Sequence, residues 1–277
     1  TAMYAAQSLH SPRILRRIPR TARRNKNNYI TRAVRRPRFL NGEAMSEYKK
    51  IGIIVADADE FSPLAKIIKQ GDYSESAFLK RKILKFTSGN AEIIALHCGI
   101  CNVNAAAAAA HLVDIGCGAV LNYGLSGGLG TAKKNELYLC DRFTEHDFDL
   151  TMIGYKPCEK PGQDSYIYKS DKRLDRIIRE LLPDIKSGTA VTGDCFICDS
   201  ARSRFLSEAF NAVSCDMETA AIAYVCEYSG VPFACVRKIS DGADESAEES
   251  YREVNTSGED YLQRLIIKIA ELAAEKL

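Results

Sequence analysis

Residues 217–223 read Met-Glu-Thr-Ala-Ala-Ile-Ala, and residues 237–241 read Arg-Lys-Ile-Ser-Asp. The first stretch has the small and apolar residues of a closely packed helix, with Glu218 at its start. The second stretch ends an apolar, strand-like segment and has an acid, Asp241, as its last residue. Site residues of α/β proteins usually lie in these two places, at helix starts and just after strands. The two stretches therefore indicate an α/β fold and a site that contains both carboxylates.

On either side of these stretches, short apolar segments alternate with amphipathic or small-residue segments. Strands are predicted over residues 51–56, 80–87, 91–97, 118–123, 136–143, 188–193, 212–215 and 232–239. Helices are predicted over residues 60–70, 102–115, 171–182, 200–209, 217–229 and 257–276. This alternation predicts a largely parallel or mixed sheet that is covered by helices on both faces. Because no linker rich in Pro, Gly or Ser interrupts the pattern, residues 46–277 are interpreted as one domain.

Residues 1–45 form a basic leader that differs from the rest of the chain. The first 42 residues hold ten Arg, one Lys and no acid, whereas the remainder holds 27 basic and 36 acidic residues, a net charge of −9. Such a segment cannot bury a core, so it is predicted to be disordered. Three interpretations are open: an organelle transit peptide, an arm that binds nucleic acid, and a segment that is absent from the mature protein. The third is favoured, because Met45 closely precedes the first apolar strand.

Ten cysteines raise the question of disulfides or a metal site. Two pairs have the spacing of metal ligands, Cys98 with Cys101 and Cys195 with Cys198. The pairs are separated by far more than the roughly 15 to 20 residues typical of zinc sites. We therefore interpret the cysteines as reduced thiols of a cytoplasmic protein, and we expect neither a metal nor another cofactor. A membrane span is not expected, since no run approaches the roughly 18 to 20 apolar residues that a bilayer requires.

Four polar or glycine-rich segments follow predicted strands. They are Asp57–Glu60, Gly124–Gly130, Gly193–Ile197 and Ser240–Asp241. Each has a simple structural explanation on its own: acids cap helices, glycines form turns, and Phe196 can fill a core. Ligands of open α/β sheets bind beyond the carboxyl ends of the strands, so the four segments together favour a ligand site.

Six sequence blocks occur in the order found in one family of enzymes. They are Ile51–Glu60, Gly124–Leu129, His146–Thr151, Gly193–Ile197, Asp216–Ala223 and Arg237–Asp241. On these blocks, the chain from Ile51 to its C-terminus resembles the 5'-methylthioadenosine/S-adenosylhomocysteine nucleosidases, members of the nucleoside phosphorylase superfamily. The resemblance implies a three-layer phosphorylase/hydrolase-like fold, with a central, mixed and twisted sheet flanked by helices.

The resemblance also implies a reaction: hydrolysis of the N-glycosidic bond of 5'-methylthioadenosine, S-adenosylhomocysteine or a related 5'-modified adenosine. Cleavage leaves negative charge on the purine and positive charge on the ribose, so it needs an acid at the base and a group that activates water. By the resemblance, Asp241 would protonate purine N7, and Glu60 would take a proton from the attacking water. Glu218 would bind the ribose hydroxyls, a contact that strengthens as the sugar becomes cationic.

Further binding residues follow from the same resemblance. Met217 would pack on the sugar, and Phe196 would stack on the base. The main chain of Ile197 would read the edge of the adenine. Arg237 and Ser240 would support the water and the acid.

An apolar pocket for the 5' substituent is implied as well, and it would be formed by Ile100, Leu150, Ile153 and Tyr251. In the family, Pro161 would come from the neighbouring subunit, so the resemblance implies a homodimer with shared sites. It also implies a cytoplasmic enzyme of methionine salvage that acts on a small nucleoside.

Two residues depart from the family pattern, and two other functions are open. Leu125 replaces a small hydroxyl residue near the water, and Asp57 replaces an apolar residue of the 5' pocket, where a carboxylate is costly unless it is hydrated or paired. A purine nucleoside phosphorylase would need an anion site, but the first turn holds Asp57, Asp59 and Glu60. A nucleoside-binding protein without catalysis would have little use for three desolvated acids. Hydrolysis is therefore the favoured function.

Overall fold

The structure, a computed structural model, describes residues 49–163, 165–255 and 260–277. The predicted leader over residues 1–45 lies outside these residues, so the division into residues 1–45 and 46–277 stays a prediction. Within the described ranges, no helix is both long enough and apolar enough to cross a membrane.

The described part of the chain has ten β-strands, which form one sheet, and seven α-helices. The strands are β1 (Lys49–Val55), β2 (Tyr73–Phe78), β3 (Arg81–Ser88), β4 (Ala91–His97), β5 (Ala119–Gly128), β6 (Leu137–Glu145), β7 (Tyr168–Lys169), β8 (Lys186–Thr192), β9 (Ala212–Asp216) and β10 (Phe233–Asp241). The helices are α1 (Ala58–Ile68), α2 (Asn102–Asp114), α3 (Lys172–Leu181), α4 (Ser200–Phe210), α5 (Thr219–Ser229), α6 (Ala247–Asn255) and α7 (Tyr261–Lys276). Their alternation confirms the predicted α/β class.

The sheet is mixed, because it contains both parallel and antiparallel pairs. β1 pairs in parallel with β4 and β5, and β5 pairs in parallel with β10. β10 pairs antiparallel with β6, and β8 pairs in parallel with both β6 and β9. β9 in turn pairs antiparallel with the end of β5. Five strands, β5, β10, β6, β8 and β9, therefore close into a ring, from which β1, β4, β3 and β2 extend. The predicted central mixed sheet is confirmed, and its partial closure goes beyond what the sequence pattern predicts.

Each face of the sheet carries an apolar layer. Along β1, Ile53 and Val55 pack into a cluster with α1, α3 and α7, whereas Ile54 packs into a second cluster with α2 and α5. The alternation follows from strand geometry, since successive side chains point to opposite faces. Buried alanines such as Ala109 and Ala220 lie where α2 and α5 contact each other, so the two helices approach closely. Helices thus cover both faces, as the three-layer prediction requires.

Several boundaries differ from the predicted ones, and three of the differences involve segments that carry predicted site residues or family blocks. Residues 124–128 continue β5 instead of forming a turn, because β10 and β9 supply main-chain partners on its two edges. Ser240 and Asp241 likewise belong to β10. The helix predicted from residue 217 begins at Thr219, with Glu218 in the N-cap position.

Three elements, β2, β7 and α6, are absent from the sequence-based prediction, and β7 has only two residues. The side chains of β2 are mostly exposed, so the strand lacks the apolar alternation that reveals a buried strand. It joins β3 through Leu79 and Lys80, whose φ angles are 47° and 62°. Such a turn usually contains Asn or Gly, and this sequence signal is missing here. α6 is mostly polar, with Glu248 and Glu249 in its first turn, so it has only a weak apolar face.

Candidate active site

A cavity of about 320 Å³ lies at the carboxyl ends of β1, β4, β8 and β9 and beside the last residues of β5 and β10. Its lining brings together most of the residues that the sequence predicts, namely Glu60, Ile100, Phe196, Ile197, Met217, Glu218, Arg237, Ser240, Asp241 and Tyr251. Asp57 and Leu125, the two departures from the family pattern, also line it. The strand ends therefore form one cavity, as expected for this class of sheet.

Three predicted residues do not line this cavity. Leu150, Ile153 and Pro161 lie on the segment between β6 and β7, where the side chain of Ile153 is 70% exposed and Pro161 is exposed as well. The prediction assigns Pro161 to the site of a neighbouring subunit, which a single chain does not contain. The assignment of these residues to a 5' pocket stays a prediction.

Glu60 lies in the first turn of α1, and the main chain of β5 fixes its carboxylate. The N–H of Leu125 donates to Glu60 Oε1 over 2.6 Å. Burial raises the pKa of Glu60 to about 8, against the opposing effects of this hydrogen bond and of Arg237, and the carboxylates of Asp57 and Glu218 raise it further. Both the protonated and the ionised form of Glu60 are therefore accessible near neutral pH.

Gly124 allows Glu60 and Arg237 to approach each other. A Cβ atom at residue 124 would lie 2.8 Å from Glu60 Oε2 and would overlap the Arg237 guanidinium. The sequence offers a turn as the simple explanation for this glycine, but the structure shows a strand residue that must lack a side chain. Close packing of charged groups, not a turn, requires glycine here.

Glu218 occupies the N-cap position of α5, but its side chain makes no capping hydrogen bond to that helix. Instead, Glu218 Oε1 accepts the N–H of Cys101 over 3.0 Å, and Oε2 accepts the N–H of Met217 over 3.3 Å. Burial and the nearby Asp216 raise the pKa of Glu218 to about 7. Cys101 has a φ of 102°, a region that residues other than glycine rarely adopt. The acid is thus held at the cavity by a strained main-chain donor at the start of α2.

Asp216 is a site residue to which sequence reasoning assigned no role. It forms a buried ion pair with Arg237, whose Nε donates to Asp216 Oδ2 over 3.1 Å, and both side chains are 2% exposed. Burial alone would raise the pKa of Asp216, but Arg237 and the hydroxyls of Thr219 and Thr192 lower it below its usual value. The ion pair fixes Arg237 behind the cavity. A possible signal was the position of Asp216 at the end of an apolar strand, two residues before Glu218.

A β-bulge positions Asp241. The register between β10 and β5 shifts between Ile239 and Asp241, so Ser240 is an extra residue. In a regular strand, neighbouring side chains point to opposite faces, but here Ser240 Oγ donates to Asp241 Oδ2 over 2.6 Å. The N–H of Ala243 donates to Oδ1 over 2.8 Å. Burial nevertheless raises the pKa of Asp241 above its usual value, which favours the protonated form.

Both carboxylate oxygens of Asp57 accept hydrogen bonds from the protein. These bonds reduce the free-energy cost of placing a carboxylate in this position. Its Oδ1 accepts the N–H of Asp59 over 2.7 Å and caps α1. Its Oδ2 accepts the hydroxyl of Tyr251 over 2.5 Å. The ring of Tyr251 also meets Phe196 edge-on, with the ring centroids 6.0 Å apart. Tyr251 is therefore only partly the apolar wall that was predicted, because its hydroxyl belongs to a polar pair.

Comparison with known proteins identifies the family. A sequence profile described as "Phosphorylase superfamily" matches residues 50–271. The chain belongs to the phosphorylase superfamily. It is 34% identical over 212 residues to a 5'-methylthioadenosine/S-adenosylhomocysteine nucleosidase from Exiguobacterium sp., an alignment that covers 74% of this chain and 90% of that protein. It is 29% identical over 228 residues to an aminodeoxyfutalosine nucleosidase from Campylobacter jejuni, covering 80% of this chain and 98% of that protein.

A solved structure agrees with the sequence comparisons. The 5'-methylthioadenosine/S-adenosylhomocysteine nucleosidase from Helicobacter pylori, crystallised with butyl-thio-DADMe-Immucillin-A, matches with a TM-score of 0.77 and 26% identity. The match covers 81% of this chain and 99% of that one. These findings confirm the resemblance to the nucleosidases and the predicted fold class. The protein is an N-glycosidase.

Proposed function

We propose that this nucleosidase hydrolyses the N-glycosidic bond of a 5'-modified adenosine, such as 5'-methylthioadenosine or S-adenosylhomocysteine, and releases adenine. The observation that carries the proposal is the convergence of Glu60, Glu218 and Asp241 on one cavity. The three acids come from distant parts of the chain, and each has a raised pKa, which is typical of groups that exchange protons in catalysis. The substrate named for the Exiguobacterium relative supports the adenosine class.

Asp241 is proposed as the acid. Its raised pKa favours the neutral carboxyl group, which can donate a proton to the purine as the glycosidic bond breaks. The hydrogen bonds from Ser240 and Ala243 hold the carboxyl group in one orientation and stabilise the carboxylate that remains after proton transfer. A purine that leaves as a neutral base is a better leaving group than an anion.

Glu60 and Glu218 are proposed to act on the ribose side. An ionised Glu60 accepts a proton from the attacking water, and Leu125 N–H keeps the carboxylate in place. Glu218 binds the ribose hydroxyls, and its negative charge stabilises the positive charge that develops on the ribose in the transition state. The Arg237 guanidinium, anchored by Asp216, opposes the rise in the pKa of Glu60 and so keeps part of it ionised.

The charges of the cavity favour water over phosphate as the nucleophile. Asp57, Glu60 and Glu218 line the cavity together with Arg237, whose charge is already paired with Asp216. A phosphate dianion would meet three carboxyl groups, which repel it whenever they are ionised, and one guanidinium group that is already paired. Like charges at about 4 Å repel by roughly 1 to 4 kcal/mol between water-like and near-surface dielectric. Neutral water carries no such cost.

Release of adenine from 5'-methylthioadenosine in phosphate-free buffer tests this function. We expect turnover without phosphate, and a loss of at least about 100-fold in Asp241→Asn, since an amide cannot donate the proton. Asp72→Asn is the matched control, because Asp72 is exposed and does not line the cavity. A reaction that starts only when phosphate is added would overturn the choice of hydrolysis. Full activity of Asp241→Asn would remove Asp241 from the role of acid.

We also propose that the enzyme is a homodimer with shared sites. The segment between β6 and β7 exposes apolar side chains, with Met152 at 95% and Ile153 at 70% exposure. Ile100, in the cavity lining, and Val103 are also exposed, at 48% and 73%. Docking of this segment on the partner would cover both groups and complete the apolar part of the site. Analytical ultracentrifugation of the protein and of Ile153→Asp tests the proposal, and a fully active monomer would refute it.

A cytoplasmic location is part of the proposal. All ten cysteines are free thiols, which supports a reducing compartment. Fractionation of source cells, followed by detection of the protein and of its adenine-releasing activity, tests this location.

A further inference from the structure

We propose that the pair formed by Asp57 and Tyr251 selects nucleosides whose 5' substituent carries a hydrogen-bond donor, a hydroxyl or an ammonium group. This inference rests on the proposed function, because it specifies the substrate class of the same cavity. The pair of Asp57 and Tyr251 would thus favour these nucleosides over those whose 5' substituent is a plain alkylthio group. Asp57 is thereby a specificity-determining residue and not a catalytic one.

The hydrogen bonds of the pair leave acceptors, not donors, for a ligand. The Tyr251 hydroxyl gives its one proton to Asp57 Oδ2, so its oxygen can only accept a further hydrogen bond. Asp57 accepts one bond on each oxygen, from Tyr251 and from the N–H of Asp59. A carboxylate has about four acceptor positions, so two are still open. Both side chains line the cavity.

The charge of Asp57 is not neutralised by a protein cation. In the part of the chain that the structure describes, no Lys or Arg side chain forms an ion pair with Asp57. The cavity contributes Arg237, but that residue is paired with Asp216. A ligand with a positive or strongly polarised N–H or O–H group supplies the missing partner, whereas a carboxylate would be repelled.

The position of Asp57 is consistent with the 5' end of a bound nucleoside. Asp57 follows β1 and Asp241 ends β10, and β5 lies between these two parallel strands. Two strand spacings place the two residues roughly 10 Å apart at the same edge of the sheet. A nucleoside with its base at Asp241 and its ribose at Glu218 can therefore direct its 5' substituent across β5 toward Asp57, which lines the same cavity.

A plain thioether at this end is the weaker match, so we expect 5'-methylthioadenosine to be cleaved with a lower kcat/KM than nucleosides that carry a donor. The sulfur and methyl group of a methylthio substituent offer no donor, so binding would remove water from two acceptors without replacing its hydrogen bonds. A hydroxyl or ammonium group replaces the lost water directly. Sites built to bond a polar group reject the analogue that lacks it more strongly than apolar pockets reject an added hydroxyl.

The test compares kcat/KM for adenosine and 5'-amino-5'-deoxyadenosine with that for 5'-methylthioadenosine and 5'-deoxyadenosine. We expect the unaltered protein to prefer the donor-bearing pair, and Asp57→Leu to reduce this preference by between about 10-fold and 100-fold. Tyr251→Phe should reduce it less, because the carboxylate is still present. Asp57→Ser keeps a capping oxygen on α1 without the charge, so it separates loss of recognition from loss of the cap. The ratio within one variant cancels any effect that Asp57 has on Glu60.

Two results would overturn the inference: a preference ratio that Asp57→Leu leaves unchanged, or an unaltered protein that prefers the methylthio nucleoside. Calorimetric binding of the same four nucleosides to the unaltered protein gives a readout that does not depend on turnover. Donor-selective binding without release of adenine would refute the proposed function and support the recognition by Asp57. Release of adenine without donor selectivity would do the reverse.

Discussion

The raised pKa of Glu60 predicts that replacing it by Gln will stabilise the protein while it removes activity. In the folded protein Glu60 keeps its proton up to about pH 8, whereas in the unfolded chain it ionises near 4.5. The unfolded state therefore releases a proton that the folded state retains, so the free energy of unfolding of the unaltered protein falls between pH 4.5 and 8. The uncharged Gln side chain has no such penalty.

The magnitude follows from the two pKa values. The difference between 4.5 and about 8 corresponds to about 4.8 kcal/mol at 1.36 kcal/mol per pH unit. Glu60 is only partly buried at the cavity, so solvent screening reduces this upper limit to roughly 2 kcal/mol. The difference in free energy of unfolding between Glu60→Gln and the unaltered protein should therefore increase by about 2 kcal/mol from pH 5 to pH 8, in favour of the variant.

Urea unfolding at several pH values between 5 and 9 measures this difference. The protein concentration must be the same throughout, because association of subunits also changes apparent stability. Asp59→Asn is the matched control, since Asp59 is an exposed acid in the same turn of α1. If the curve of Glu60→Gln runs parallel to that of the unaltered protein, Glu60 ionises normally in the folded protein, and the reasoning from burial fails.

Three further predictions concern the same cavity. Cys101→Gly should raise the free energy of unfolding by about 1 to 2 kcal/mol, because glycine adopts a φ of 102° without strain; an unchanged thermal midpoint would contradict this. Gly124→Ala should lower the rate of adenine release at least tenfold, because the new methyl group would displace the Glu60 carboxylate and the Arg237 guanidinium. Its matched control is Gly71→Ala, since a Cβ at Gly71 has nothing within 4 Å. Finally, kcat/KM should increase with pH until about 8, as Glu60 loses its proton, and a rate that is flat from pH 6 to 8 would refute its role as base.

The sequence predicted the elements whose signal is local. β1 is a continuous apolar run, and its residues are buried from Ile51 to Val55, so the pattern alone identifies a central strand. The acids at the ends of strands were recognised for a similar reason, because position in an α/β sheet is tied to position along the chain. The cavity then contained most of the predicted side chains.

The parts that the sequence did not predict depend on contacts between distant segments. The glycines from residue 124 onward resemble a turn until β10 and β9 are present to pair with them. The bulge at Ser240 exists only relative to β5. The hydrogen bond between Asp57 and Tyr251 joins residues 194 positions apart, so no local pattern reveals that Asp57 is paired. Local sequence identifies which residues carry chemistry, and long-range pairing determines how they are oriented.

The closed ring of strands has a consequence for the synthesis of the enzyme. The Ser240 Oγ lies 3.3 Å from the carbonyl oxygen of Ser126, 114 residues away, and β5 gains its last neighbour only when β10 has been made. A ribosome releases the chain from its N-terminus, so Glu60 leaves it long before Asp241 is made. Contacts of such long range form late and all together. The nascent chain is therefore expected to lack activity until β10 has been made, because the proposed acid Asp241 is the last residue of that strand.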